Sequence, residues 1–181
     1  MKDKLNPTQL EVLYFQEKPP KTLEERLDRV ESKVAIMTIV NMYSQSHDLQ
    51  DWDLFMNYVT DDIVRTITGS VHSQETGKKN LEAVYKRGQR MTRPDGTQVV
   101  YDPTIRRKHM VVTPVAKISD DGKMAWYSGY TSLASTKETP QGHVRSQHEA
   151  LILLTFVREG GQWKVKRMNL NTELGHDPLR K

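Results

Sequence analysis

The sequence predicts an α+β domain in which helices lie across the concave face of a strongly curved antiparallel sheet. Three observations predict it. Apolar residues three and four apart dominate the first half of the chain, long β-branched runs dominate the second, and short turns containing Asp, Pro and Gly separate those runs. The 181 residues suffice for one substantial core and not for two of ordinary size.

Residues 1–20 mix Lys, Asp, Pro and Gln around a brief apolar patch, Val12-Leu13-Tyr14-Phe15. They read as a flexible leader without the apolar core and small-residue cleavage site of a secretory signal. After Pro19-Pro20, Thr22 followed by Glu25 forms a capping box in which hydroxyl and carboxylate satisfy free backbone donors, so a helix starts there. Leu23, Leu27, Val30, Val34, Ile36, Met37, Val40 and Tyr43 carry it to about His47 with one buried face. Trp52, Phe55, Met56 and Val59 mark a second, shorter helix, and Thr60-Asp61-Asp62 turns the chain into a strand over 63–67. Leu81, Val84 and Tyr85 mark a third helix between residues 76 and 90, and the Pro94-Asp95-Gly96 stretch within 93–103 is a loop expected over a pocket.

From residue 105 the pattern is that of strands, over 105–118, 124–135, 143–158 and 162–174. Asp120-Asp121-Gly122, Thr139-Pro140-Gln141-Gly142 and Glu159-Gly160-Gly161 join them as hairpins. Pro114 removes a ladder donor from the first of these strands, which calls for a bulge or a strand edge. Helices that do not fill a curved sheet leave an apolar cavity, the usual place for a small molecule. Residues 176–181 form a tail.

Composition narrows the function. With no cysteine there is no disulfide framework, thiolate metal site or cysteine nucleophile, which fits a cytoplasmic setting. The 27 Lys and Arg against 23 Asp and Glu are scattered apart from Arg106-Arg107-Lys108, so no phosphate-binding face and no nucleic-acid partner is expected. No apolar run approaches the roughly 18 residues of a membrane span. His143 and His148 alternate to opposite faces of one strand, His148-Glu149 lacks the second His of a zinc-protease signature, and Gly77-Lys78 lacks the spacing of a phosphate loop. Neither metal nor nucleotide is expected.

What remains is Tyr43 and Asp48 near the end of the first helix and His109 in a strand. A carboxylate that orients an imidazole, with a phenol nearby, moves protons near neutral pH without metal or cofactor. His109 shares a strand face with Ile105, Arg107, Val111 and Thr113, a mixed face of the kind that lines a cavity. An ideal helix sets Tyr43 and Asp48 about 140° apart, so both meet one pocket only if the helix ends or loosens near Ser46. The plainer alternatives are a capping Asp48, a structural His109 and a half-buried Tyr43. Phe55 and Val111, with Arg167 and Asn169 on one face of the last strand, are the expected substrate contacts.

The order of elements, together with several strings, resembles the SnoaL-like branch of the nuclear-transport-factor-2-like (NTF2-like) superfamily over residues 22–174. The carriers are Leu23-Glu24-Glu25-Arg26-Leu27, Tyr43-Ser44-Gln45-Ser46-His47-Asp48, Asp51-Trp52, Thr60-Asp61-Asp62, Arg107-Lys108-His109 and Gly161-Gln162-Trp163-Lys164-Val165. The resemblance implies a cone-shaped, cystatin-like fold. It is sharpest towards the group of bile acid 7α-dehydratase, scytalone dehydratase and hexachlorocyclohexane dehydrochlorinase, which use an Asp–His pair inside the cone. The spacing of Tyr43 and Asp48 and the string His109-Met110-Val111-Val112-Thr113-Pro114 are similar to the first of these. The further His, Ser and Asn of the second find no counterparts in 128–135 and 150–152.

The resemblance implies a cofactor-independent dehydratase acting on a small, largely apolar oxygenated molecule of steroid, polyketide or terpenoid type. A double-bond isomerase would use the same pair. A non-catalytic binding module, or the small structural subunit of a ring-hydroxylating dioxygenase, is the alternative of another class. The expected partners are a small-molecule substrate and further copies of the chain, as a dimer or trimer.

Overall fold

A computed structural model describes residues 5–69, 72–87, 90–92, 96, 98–100 and 106–172. The first element, α1 (Pro7–Tyr14), is capped reciprocally by Asn6 and Gln9 and has Pro at its start, where a missing N–H costs nothing. The leader expected to be flexible is therefore helical here. It is held by Val12, which is buried, and by Phe15, whose ring stacks on Trp126 with centroids 3.9 Å apart. The isolated apolar patch in a polar segment is an anchor.

The long helix α2 (Leu23–Leu49) starts where the capping residues place it. Thr22 Oγ1 accepts from the Glu25 N–H at 3.1 Å, whereas the Glu25 carboxylate takes the Lys21 N–H at 2.6 Å, one residue further back than the simple box. After it come α3 (Asp53–Met56), β1 (Val59–Thr68), β2 (Ser73–Thr76) and α4 (Lys78–Arg87). A small hairpin follows, β3 (Arg90–Thr92) with β4 (Gln98–Val100). The rest of the 93–103 loop, apart from residue 96, and the tail 176–181 lie outside the described residues. The meander β5 (Arg106–Ile118), β6 (Met124–Thr139), β7 (Gly142–Glu159) and β8 (Gln162–Asn171) completes the chain. No described helix is long and apolar enough to cross a membrane.

The main sheet has the order β2-β1-β8-β7-β6-β5. It is mixed, because β1 runs parallel to β8 while every other pair is antiparallel. The hairpin turns written into 119–161 dictate antiparallel pairing within the meander. The partner of β1 is chosen by packing, since no local signal joins two strands almost a hundred residues apart. Curvature comes from interruptions of register in β5 between Val112 and Val115, between β7 and β8, and between β1 and β8. The β5 bulge sits at Thr113-Pro114, with Thr113 at φ 50°, so the proline ends one run of ladder bonds and starts another.

The inner face of the sheet packs on α2 through Ile36, Ile39, Val40 and Tyr43, against Ile63, Tyr127, Ile152, Leu154 and Met168. The outer face carries a smaller cluster, Trp126, Leu151 and Leu153, covered by Val12 of α1. The helical stripe Leu23, Leu27, Val30 and Val34 belongs to neither, being 77, 56, 60 and 61% exposed. The helical spacing of the sequence thus merges two opposite faces of α2, of which only the later residues reach the core.

Candidate functional site

Asp48 lies in the last turn of α2, which runs as an α-helix to Leu49 and ends at Gln50 in the left-handed conformation. No loosening at Ser46 is needed for Asp48 to reach the sheet. β5 is the edge of that sheet, so one row of its backbone donors has no neighbouring strand. Asp48 supplies the missing acceptor: its Oδ1 and Oδ2 take the His109 N–H at 3.0 and 3.1 Å. The same carboxylate meets His109 Nδ1 through Oδ1 at 2.7 Å. Backbone and ring of one residue are thereby fixed by one carboxylate. With Nδ1–H donating to Asp48, Nε2 keeps its lone pair and can accept a proton. The side chains of His109 and Asp48 retain 10 and 23% exposure, so the pair is sheltered yet reachable.

Behind His109 stands a buried imidazole that the sequence reading passed over. His47 lies one turn after Tyr43 on the buried face of α2, and its Nδ1 donates to the Tyr43 carbonyl at 2.9 Å. Its ring meets Tyr43, Trp52, Tyr85 and His109 at centroid distances of 4.4, 4.9, 5.1 and 5.3 Å. Burial, then the charge of His109, pulls the His47 pKa down to about 3, so His47 stays neutral near neutral pH. Trp52 stacks on Tyr85 at 4.8 Å, and both rings pack against that of His47.

A second unanticipated group is Arg65, buried on the inner face of β1 between Ile63 and Ile67. It pairs with Glu75, its register partner on β2, at 2.7 Å, and its guanidinium lies over the Tyr85 ring. The signal was present: within an alternating strand, an arginine occupies a position flanked two residues either way by core isoleucines. Burial raises the pKa of both Tyr43 and Tyr85, which keeps these phenols protonated.

The other expected site residues divide. Val111 follows His109 on the same inner face and packs at the margin of the core. Phe55 is fully buried, edge-on to Tyr43 at 5.1 Å, and is core rather than lining. Tyr43 reaches the Asp48–His109 pair through the His47 ring rather than joining it. Arg167 and Asn169 lie on the wrong face. The register break between β7 and β8 gives the inner positions to Met168 and Leu170, so Arg167 turns outward to within 3.4 Å of Thr8 Oγ1 in α1. An inward cation is supplied by Arg65 instead.

Comparisons place the fold among those of known proteins. The family model for the SnoaL-like domain matches residues 28–169. No curated protein matches the chain in sequence. Among solved structures, an NTF2-like protein with a cystatin-like fold from Novosphingobium aromaticivorans is 14% identical with a TM-score of 0.61, covering 90% of this chain and 97% of its own. The hexachlorocyclohexane dehydrochlorinase LinA type 2 is 16% identical with a TM-score of 0.60, covering 80 and 87%. ActVI-ORFA from Streptomyces coelicolor is 15% identical with a TM-score of 0.56, covering 78 and 95%. With a match that runs from the first turns of α2 into β8, the chain belongs to the SnoaL-like domain family and has the NTF2-like, cystatin-like fold.

Proposed function

We propose that the protein is a cofactor-independent lyase that eliminates water from a small, largely apolar oxygenated molecule, with His109 as the base. The observation that carries this reading is the double hold of Asp48 on His109, which leaves Nε2 as a fixed proton acceptor on a side chain that keeps 10% exposure. His109 Nε2 takes a proton from a carbon next to a carbonyl, and the electron pair of that C–H bond moves into the enolate. As the enolate collapses to a carbon–carbon double bond, the hydroxyl on the adjacent carbon departs and takes the proton back from His109, leaving as water. One imidazole serves both steps when proton and hydroxyl leave from the same side. Asp48 holds the tautomer and balances the imidazolium formed between the steps. His47 remains uncharged throughout, which spares the intermediate a second positive charge 5.3 Å away.

Trp52 and Val111, both partly buried, offer apolar contacts suited to a fused-ring steroid, polyketide or terpenoid. A structural neighbour named as a dehydrochlorinase, an enzyme of elimination, is in keeping with this chemistry. The test is a panel of cyclic β-hydroxy carbonyl compounds, followed by the ultraviolet absorbance of the conjugated product and by mass spectrometry for loss of water. His109→Gln is expected to lower turnover by about 10²–10⁴-fold with an unchanged circular dichroism spectrum. Unsaturated ketones assayed beside the panel would identify an isomerase instead, through products of unchanged mass with a moved double bond. Undiminished turnover in the His109→Gln protein, or none by the parent protein across the panel, would overturn the proposal.

A further inference from the structure

The exposed stripe of α2 has features that single out its occupant. Leu23, Leu27, Val30 and Val34 are 56–77% exposed, and they follow one another at intervals of four, three and four residues. Met37, partly buried, extends the series by three. That spacing has a period of 3.5, the seam of a coiled coil, rather than the wider stripe of a helix lying on a sheet. The stripe lies opposite Ile36, Val40 and Tyr43, which hold α2 to the sheet, so a second helix can dock without disturbing the fold.

The flanking charges decide which helix and in which direction. With Leu27 and Val34 at the a positions of the heptad, and Leu23, Val30 and Met37 at d, the g positions are Arg26 and Lys33 and the e positions Glu24 and Glu31. In a parallel pair, g meets the e position five residues later on the partner, so Arg26 faces Glu31 of the other helix twice over by symmetry. In an antiparallel pair, g meets g and e meets e, which sets Arg26 against Lys33 and Glu24 against Glu31. The stripe is thus complementary to itself in parallel register and repelled by itself in the reverse one. We infer that α2 is a self-association surface on which a second copy of this chain docks its own α2 in parallel, with Leu27 against Leu27 and Arg26 against Glu31.

Absence of cysteine in the natural sequence makes the test direct. In parallel register each a residue meets its own copy, so Leu27→Cys is expected to form an interchain disulfide under mild oxidation, whereas antiparallel pairing in the register above would bring residue 27 to about residue 30. Light scattering coupled to gel filtration should give the mass of two chains for the parent protein and of one for Leu27→Glu/Val34→Glu. Both side chains are exposed in the monomer, so circular dichroism should report an intact fold. Arg26→Glu and Glu31→Arg should each weaken the dimer severalfold, and their combination should restore it. Single-chain mass for the parent protein would overturn the inference, as would a dimer indifferent to the α2 changes. Val112 and Tyr130, register partners 46 and 45% exposed, lie on the outer sheet face, and loss of the dimer on Val112→Lys/Tyr130→Lys alone would assign association to that face and overturn it equally.

Discussion

Burying a neutral imidazole makes the protein acid-sensitive in a way that one residue should dominate. His47 has a pKa of about 3 in the folded protein against the ordinary 6.5, because burial first, and the charge of His109 next, disfavour its protonated form. Since the folded value is the lower one, the unfolded chain binds a proton as pH falls below 6.5 while the folded chain does not. Stability is therefore complete above that pH and is lost progressively towards pH 3. Between about pH 7.5 and about pH 4.5 the loss amounts to roughly 3 kcal/mol, from 1.36 kcal/mol for each unit by which the two protonation curves separate.

His47→Phe removes the titration and keeps an aromatic ring among Tyr43, Trp52 and Tyr85, while the Tyr43 carbonyl retains its bond from Ser46 Oγ at 2.7 Å. Urea unfolding of both proteins across this range should show a parent stability that falls more steeply by about 3 kcal/mol, whatever constant offset the larger ring introduces. Parallel pH curves for the two proteins would refute the reasoning. So would an imidazole resonance of His47 that titrates in the native protein near the ordinary histidine value.

Two further predictions rest on the interior. Removing the charge of Glu75 in Glu75→Gln weakens the hold on a guanidinium that is itself 1% exposed, and should destabilise by about 1–3 kcal/mol in chemical denaturation; unchanged stability would show that this ion pair contributes nothing to holding Arg65. A Cβ on Gly129 would come within 2.6 Å of the Tyr127 hydroxyl and 3.2 Å of its Cζ, so Gly129→Val should destabilise by about 1–3 kcal/mol and shift the Tyr127 ring resonances, whereas a neutral substitution would show that this ring is free to move.

Much of the fold was legible because its signals are local. Thr22 places the start of α2, the Asp-Gly and Gly-Gly turns place the meander, and Pro114 marks the bulge that curves its edge. The Asp48–His109 contact was legible only through resemblance, for no local signal over a separation of 61 residues brings a helix end to a strand edge. Arg167 and Asn169 were misassigned for a definite reason. Strict alternation across β8 is broken where it pairs with β7, and one such break exchanges the two faces for every residue beyond it.

By itself, then, the sequence determined the order of the main helices and strands, the hairpins of the second half, and the absence of cysteine chemistry. These follow from periodicity, turn residues and residue type, which act over a few positions of the chain. Tertiary structure alone decided that β1 runs parallel to β8, that His47 and Arg65 stand behind the pair, that Tyr43 is held one ring away from it, and that the stripe at the start of α2 faces solvent. Each depends on which surfaces meet, and burial is a property of that meeting rather than of any residue in it.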